Sequence, residues 1–166
     1  EYHILQDKIF LEIKSQNKDR LSTGLSELDR TLGGGLVDGS VVLIGGDPGI
    51  GKSTLILQAL VTLNKANTTL YVSGEESAEQ VSERAVRLDI KEDVLFIGET
   101  HLEKILKLSK DVQPKVIVID SIQTMVTDLS TSAPGSVTQV RDCAAQLTQY
   151  AKQTNTILLI DRKSVV

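Results

Sequence analysis

Five short apolar runs rich in β-branched residues recur along this 166-residue chain, each separated from the next by a stretch long enough for a helix. They are SVVLIGG from Ser40, TTLYVSG from Thr68, DVLFIG from Asp93, KVIVID from Lys115 and NTILLID from Asn155. Continuous apolar runs of this length predict strands buried on both faces. Helical patterns fall between them over residues 52–64, 77–88, 102–110 and 137–153. Alternating strands and helices make βαβ units, so the expected fold is α/β, with a mostly parallel sheet covered by helices on both faces. With 40% hydrophobic and 24% charged residues, the chain has enough apolar material for the core of one domain.

A formal net charge of −4 leaves no domain-wide basic surface, so any contact with nucleic acid has to be local. The lone cysteine, Cys143, excludes an internal disulfide framework and reads as a small buried hydrophobe on a helix. His3 and His101 stand far apart with no partner at ligand spacing, which argues against a zinc site within this chain. No apolar run reaches the roughly 18 to 20 residues of a membrane span and no signal-peptide pattern opens the sequence, so no membrane association and a reducing, cytoplasmic compartment are expected.

The densest motif is IGGDPGIGKSTL, residues 44–55, placed between the first strand-like run and the first helical pattern. Gly46, Gly51, Lys52 and Ser53 match G-x-x-x-x-G-K-[ST], in which loop glycines let backbone N–H groups approach phosphate oxygens and the opening helix adds its positive dipole end. Lys52 is expected to reach the β- and γ-phosphates and Ser53 to offer a hydroxyl to Mg²⁺, while Pro48 and Gly49 tighten the turn.

Two acidic positions follow strand-like runs. Asp120 ends KVIVID, where a carboxylate at the carboxyl end of a parallel strand can hold Mg²⁺ beside Ser53; a turn or helix-capping aspartate is the alternative. Glu75 and Glu76 lie in YVSGEES. One can orient or deprotonate a water attacking a γ-phosphate, and one can belong to the first turn of the next helix; Glu75 is the favoured catalytic group. The longest connection, residues 121–137, holds Ser, Thr, Pro and Gly and is weakly periodic; structureless connections of more than about 12 residues are usually either functional or disordered.

The stretches STGLSELDRTLGGGLVDGSVVLIGGDPGIGKSTL, YVSGEES, VIVIDSIQT and SAPGSVTQVRDCA together resemble the RadA (Sms) family of bacterial DNA repair ATPases over residues 21–160. KaiC-like ATPases share the first stretch, and DSIQT with SAPGS decides between the two. The resemblance implies a RecA-like P-loop core, DNA-driven ATP hydrolysis, and processing and branch migration of recombination intermediates alongside the RecA recombinase. It implies that Gly46, Asp47, Pro48, Gly49, Ile50, Gly51, Lys52, Ser53 and Thr54 form the Walker A loop around ATP, that Asp120 is the Walker B aspartate with Mg²⁺, and that Glu75 activates water. It further implies a homo-oligomeric ring with the segment after Asp120 facing single-stranded or branched DNA. Arg141 there is a candidate DNA-phosphate or subunit contact, or else a solvated helix residue.

The family carries a four-cysteine zinc module before this core, and a Lys-Asn-Arg-Phe-Gly motif and a Lon-protease-like domain after it. None stands in this sequence, so the chain reads as a piece of a longer protein, truncated at the carboxyl end of the core, with zinc belonging to the module before it. Residues 1–20 are expected to be a lead-in segment or edge strand, and residues 21–160 the ATPase core. After TILLI the family continues with a Gly-His-Val-Thr-like run, whereas Asp161, Arg162, Lys163, Ser164, Val165 and Val166 stand here. Residues 161–166 are therefore expected to be a non-native or frameshifted tail. A KaiC-like regulatory module and an ATP-dependent scaffold without turnover are the competing functional readings.

Overall fold

The computed structural model describes residues 19–47, 49–91 and 94–163. In chain order they form α1 (Ser26–Thr31), β1 (Val41–Gly46), α2 (Lys52–Asn64), β2 (Thr69–Ser73), α3 (Ala78–Arg87), β3 (Leu95–Gly98), α4 (Leu102–Val112), β4 (Val116–Asp120), a 3₁₀ turn (Ile122–Thr124), α5 (Val137–Thr154) and β5 (Ile157–Lys163). The five strands pair in the order β1-β5-β4-β2-β3, and every pairing is parallel. This is the α/β architecture expected from the sequence, and an all-parallel sheet of this order is consistent with a RecA-like core.

Side-chain alternation along the buried strands feeds two cores. Ile117 and Ile119 of β4 pack on one face with Leu102 and Ile105 of α4 and Cys143 and Leu147 of α5. Val116 and Val118 pack on the other with Ile56, Leu57 and Leu60 of α2 and Val81 of α3. Successive strand residues point to opposite faces, so a central strand flanked by helices on both sides must be apolar throughout. Connections leaving β1 and β2 cross one face and those leaving β3 and β4 cross the other, which places ligand crevices at the carboxyl edge of the sheet. Among the described residues no helix is long and apolar enough to cross a membrane.

Local chemistry sets the helix ends. Ser77 caps α3 by accepting from the Gln80 backbone N–H while the Gln80 side chain accepts from the Ser77 N–H, a reciprocal capping box. The STGLSELD lead closes on itself: Asp29 of α1 accepts from the Ser22 hydroxyl and from both the N–H and the hydroxyl of Thr23. Leu21 bridges Leu36 in antiparallel fashion, while residues 1–18 of the expected lead-in lie outside the described residues. Burial pushes the Cys143 thiol up to about 11, in keeping with a packed rather than reactive cysteine.

The segment after β4 is less open than a weakly periodic loop suggests. Val126 pairs with the strand-like residue His101, and Glu103 of α4 accepts from the Thr127 hydroxyl at 2.6 Å and the Asp128 N–H at 3.0 Å. Leu129 and Val137 beyond it are 79% and 85% exposed.

Glu99, just past β3, accepts from the backbone N–H of His101 (3.0 Å) and Thr100 (2.8 Å), and these bonds hold its carboxyl down at about 2. Its folded pKa lies below the unfolded value of 4.5, so the stability it contributes is present at neutral pH and is lost as pH falls through that window. Glu99→Gln should therefore lower stability at pH 7, with its deficit shrinking between pH 4.5 and about 2 in urea unfolding curves; a deficit independent of pH would contradict this.

Candidate functional site

β1 ends at Gly46 and α2 starts at Lys52, so the glycine-rich loop runs across the carboxyl edge of the sheet and straight into a helix N-terminus. Gly51, the last residue before the helix, has φ +98°, a left-handed conformation that a side chain would strain. Asp47, Gly49, Ile50 and Gly51 are exposed, Ser53 and Thr54 half-buried, and Lys52 only 8% exposed; Pro48 lies outside the described residues. The first N–H groups of a helix lack partners within it, so this loop offers an exposed set of donors with a positive dipole end behind them.

The Lys52 ammonium folds back over the loop, donating to the carbonyls of Gly46 at 2.7 Å and Asp47 at 3.0 Å. It also lies 4.0 Å from the Asp161 carboxylate of β5. A cavity of about 310 Å³ opens here, lined by Lys52, Ser53, Thr54, Arg84, Asp161 and Lys163 together with Gly49 and Gly51. Every side chain lining it is polar or charged, three of them cationic, which suits an anionic ligand rather than an apolar one.

Asp120, the last residue of β4, is 4% exposed and accepts a short hydrogen bond from the Tyr71 hydroxyl of β2. Burial, and then the Asp120 charge, raise the Tyr71 phenol far above its ordinary range, so it stays protonated as a donor. Burial, followed by the Asp120 charge, also pushes the Asp161 carboxyl up to about 6 against the pull of Lys52. The two buried carboxylates therefore crowd one another, while the Lys52 and Lys163 ammonium groups both pull on Asp161.

Ser73 of β2 pairs with Asp120 in the sheet, so the SGEES turn leaves the edge beside the end of β4. Its Ser73 hydroxyl accepts from the N–H groups of Glu75 and Glu76. The Ser121 hydroxyl donates to Glu75 at 2.9 Å, and Lys163 forms an ion pair with the same carboxylate. Burial raises the Glu75 pKa, but the Lys163 and Ser121 hydrogen bonds and the Lys163 charge outweigh it and hold the carboxyl below its usual range. Glu76 turns away from Glu75 into an ion pair with Arg84 of α3.

The structure therefore brings Lys52, Ser53 and Thr54 into one cavity, with Asp120 behind it and Glu75 joined to it through Lys163. Arg141 is not among the groups lining it: on α5 its side chain is 74% exposed and meets Asp142 at 3.7 Å. Tyr71, Ser121, Arg84, Asp161 and Lys163 all build the site without being singled out by the motifs. Tyr71 looks like a core aromatic in an apolar run, Ser121 follows an aspartate that draws the attention, and Arg84 is one of several charges on an amphipathic helix. The available signals were a phenol in the middle of the apolar run of β2 and a hydroxyl just after β4. Asp161, Arg162 and Lys163, set aside as tail, continue β5 in register with Ile44, Gly45 and Gly46 of β1.

Residues 20–159 match a family model described as "Family of unknown function (DUF7125)". The chain belongs to that family. It is also similar to the DNA repair protein RadA of Pseudomonas aeruginosa, 54% identical over 154 residues, which cover 92% of this chain and 34% of that protein. RadA of Escherichia coli is 52% identical over 142 residues (85% of this chain, 31% of that protein), and RadA of Bacillus subtilis 50% identical over 142 residues (84% and 31%). The likeness to RadA read from the motif stretches thus extends along most of the chain, and the chain spans about a third of the length of these relatives. The family match ends two residues before Asp161.

Gly74 is required by the close approach of two site segments: a Cβ there would overlap the Thr124 side chain and meet the Thr100 methyl at 3.0 Å. Gly74→Ala should cost about 1–3 kcal/mol in urea unfolding through overpacking, and wild-type stability would contradict this packing.

Proposed function

We propose that this chain is the ATP-binding core of a DNA-dependent ATPase acting in recombinational DNA repair. The observation that carries the reading is the glycine loop entering α2 with Lys52 buried against the Asp161 carboxylate at the sheet edge, in a chain about half identical to proteins named DNA repair protein RadA. The loop N–H groups from Gly46 to Thr54 cradle the phosphates, and Lys52 exchanges the Gly46 and Asp47 carbonyls for β- and γ-phosphate oxygens. Ser53 and Asp120 would hold Mg²⁺; a hydroxyl and a carboxylate crowded by Asp161 are oxygen ligands that fit that hard cation. When bound, Mg²⁺ neutralises charge on the β- and γ-phosphate oxygens.

Glu75 orients a water in line with the γ-phosphorus and accepts its proton as the new P–O bond forms and the bond to the β-phosphate oxygen breaks, releasing ADP. Its lowered pKa keeps it ionised for that task, and Ser121 fixes its direction. In the whole protein, a homo-oligomeric ring would place the largely exposed residues 129–137, and Arg141 beyond them, toward single-stranded or branched DNA, with branch migration alongside RecA as the output in a bacterial cytoplasm. The isolated chain should turn ATP over at a negligible rate, because ring ATPases complete their sites with cations from a neighbouring subunit.

The full-length protein that contains this core should hydrolyse ATP faster with single-stranded DNA than without it. Glu75→Gln should lower that rate by about 10²-fold or more while leaving ATP binding intact. Equal hydrolysis with and without DNA, or an unaffected Glu75→Gln variant, would contradict the proposal.

A further inference from the structure

Arg84 lines the phosphate-loop cavity together with the loop residues, but it comes from α3 rather than from any sequence motif. Its guanidinium is largely buried, with 16% of the side chain exposed, and it engages Glu76 through one nitrogen and one oxygen only. The other terminal nitrogen, Nη1, is buried and has no hydrogen-bond partner among the described residues, and the same holds for Oε2 of Glu76. A guanidinium carries its donors in a rigid fork suited to two-point contact with carboxylate or phosphate. Here carboxylate and guanidinium meet off-register, and each keeps an unspent polar atom out of water, a costly arrangement unless another group completes it.

A structural ion pair that only pins the SGEES turn to α3 would gain most from the two-point geometry. The observed pair instead leaves a buried donor over on a residue that lines, with Lys52, Ser53 and Thr54, a cavity rich in anion-binding groups. The Ser77–Gln80 capping box and burial of Val81 fix α3, so Arg84 is held in place before any ligand arrives.

We propose that Arg84 is a phosphate ligand supplied in cis, which takes an oxygen of the bound polyphosphate with its free Nη1 while Glu76 acts as a competing latch. The proposal rests on the nucleotide reading of the cavity and adds to it a further phosphate-binding cation from the same chain, beside Lys52 and Lys163 in the lining. It also divides the labour of the paired glutamates: Glu75 serves the attacking water, and Glu76 sets how readily Arg84 is given up to the ligand.

The test uses the 166-residue chain and two probes, ATP and inorganic tripolyphosphate, titrated by calorimetry against the parent and the Arg84→Gln, Arg84→Lys and Glu76→Gln variants, each first checked for an intact thermal unfolding transition. Arg84→Gln should weaken both probes by roughly tenfold or more, Arg84→Lys should restore part of the loss, and Glu76→Gln should bind both more tightly than the parent. Loss of ATP affinity with tripolyphosphate unchanged would place Arg84 against the base and overturn the phosphate assignment. Weaker binding by Glu76→Gln, or unchanged binding by Arg84→Gln, would reduce the pair to a structural contact. Failure of the parent chain to bind either probe would overturn the nucleotide reading, and this proposal with it.

Discussion

Strand β4 is buried on both faces from Val116 to Asp120, and that burial decides where charge can stand in this molecule. Its interior positions face helices on either side and admit only apolar side chains; a charge there would lose its water with nothing in return. The first ionisable group is therefore displaced to the end of the strand. Asp120 arrives there nearly desolvated and is met by the Tyr71 hydroxyl from the neighbouring strand. Because all pairings are parallel, the other strands deliver their ends to the same edge. Ser73 pairs with Asp120 and launches the SGEES turn, while β1, separated from β4 by β5, launches the glycine loop. The site is a consequence of register.

The electrostatics of that edge are unbalanced in a particular way. Lys52 is satisfied by its own loop carbonyls, Asp161 is crowded by Asp120, and Arg84 and Glu76 each hold a polar atom in reserve. Such incomplete pairing is expensive in a dry interior and is commonest where a ligand finishes the network. On our proposed reading, a polyphosphate with a divalent cation would supply what the site lacks, oxygens for Lys52 and Arg84 and positive charge for the carboxylates. The ligand would then replace internal compromises rather than add to a finished surface.

The repeating elements were legible because their physics is local. Residues 52–64 read as a helix and form one over the same span, and the expected start of α3 at Ser77 is its N-cap. Strand ends were less so: β1 and β4 each start one residue inside their apolar runs, since ladder pairing rather than apolarity decides where a strand begins. Asp120 and Glu75 could be placed at strand tips because that position is written in the order of residues. The pairing of Glu76 with Arg84, and the donation from Ser121 to Glu75 across 46 positions, depend on how the turns fold and leave no mark on spacing. The ordering of Thr127 and Asp128 by Glu103 is of the same long-range kind, which is why the segment after β4 read as a plain loop.

The central claim is that the cavity over Lys52 binds a nucleotide through its phosphates. Titrating the chain with a fluorescent ATP analogue, with Mg²⁺ present and after chelation, tests it most directly. The account predicts saturable binding that unlabelled ATP displaces, that weakens when Mg²⁺ is removed and that Lys52→Ala abolishes in a still-folded chain. Binding indifferent to Lys52→Ala, or none at any concentration of the analogue, would contradict it.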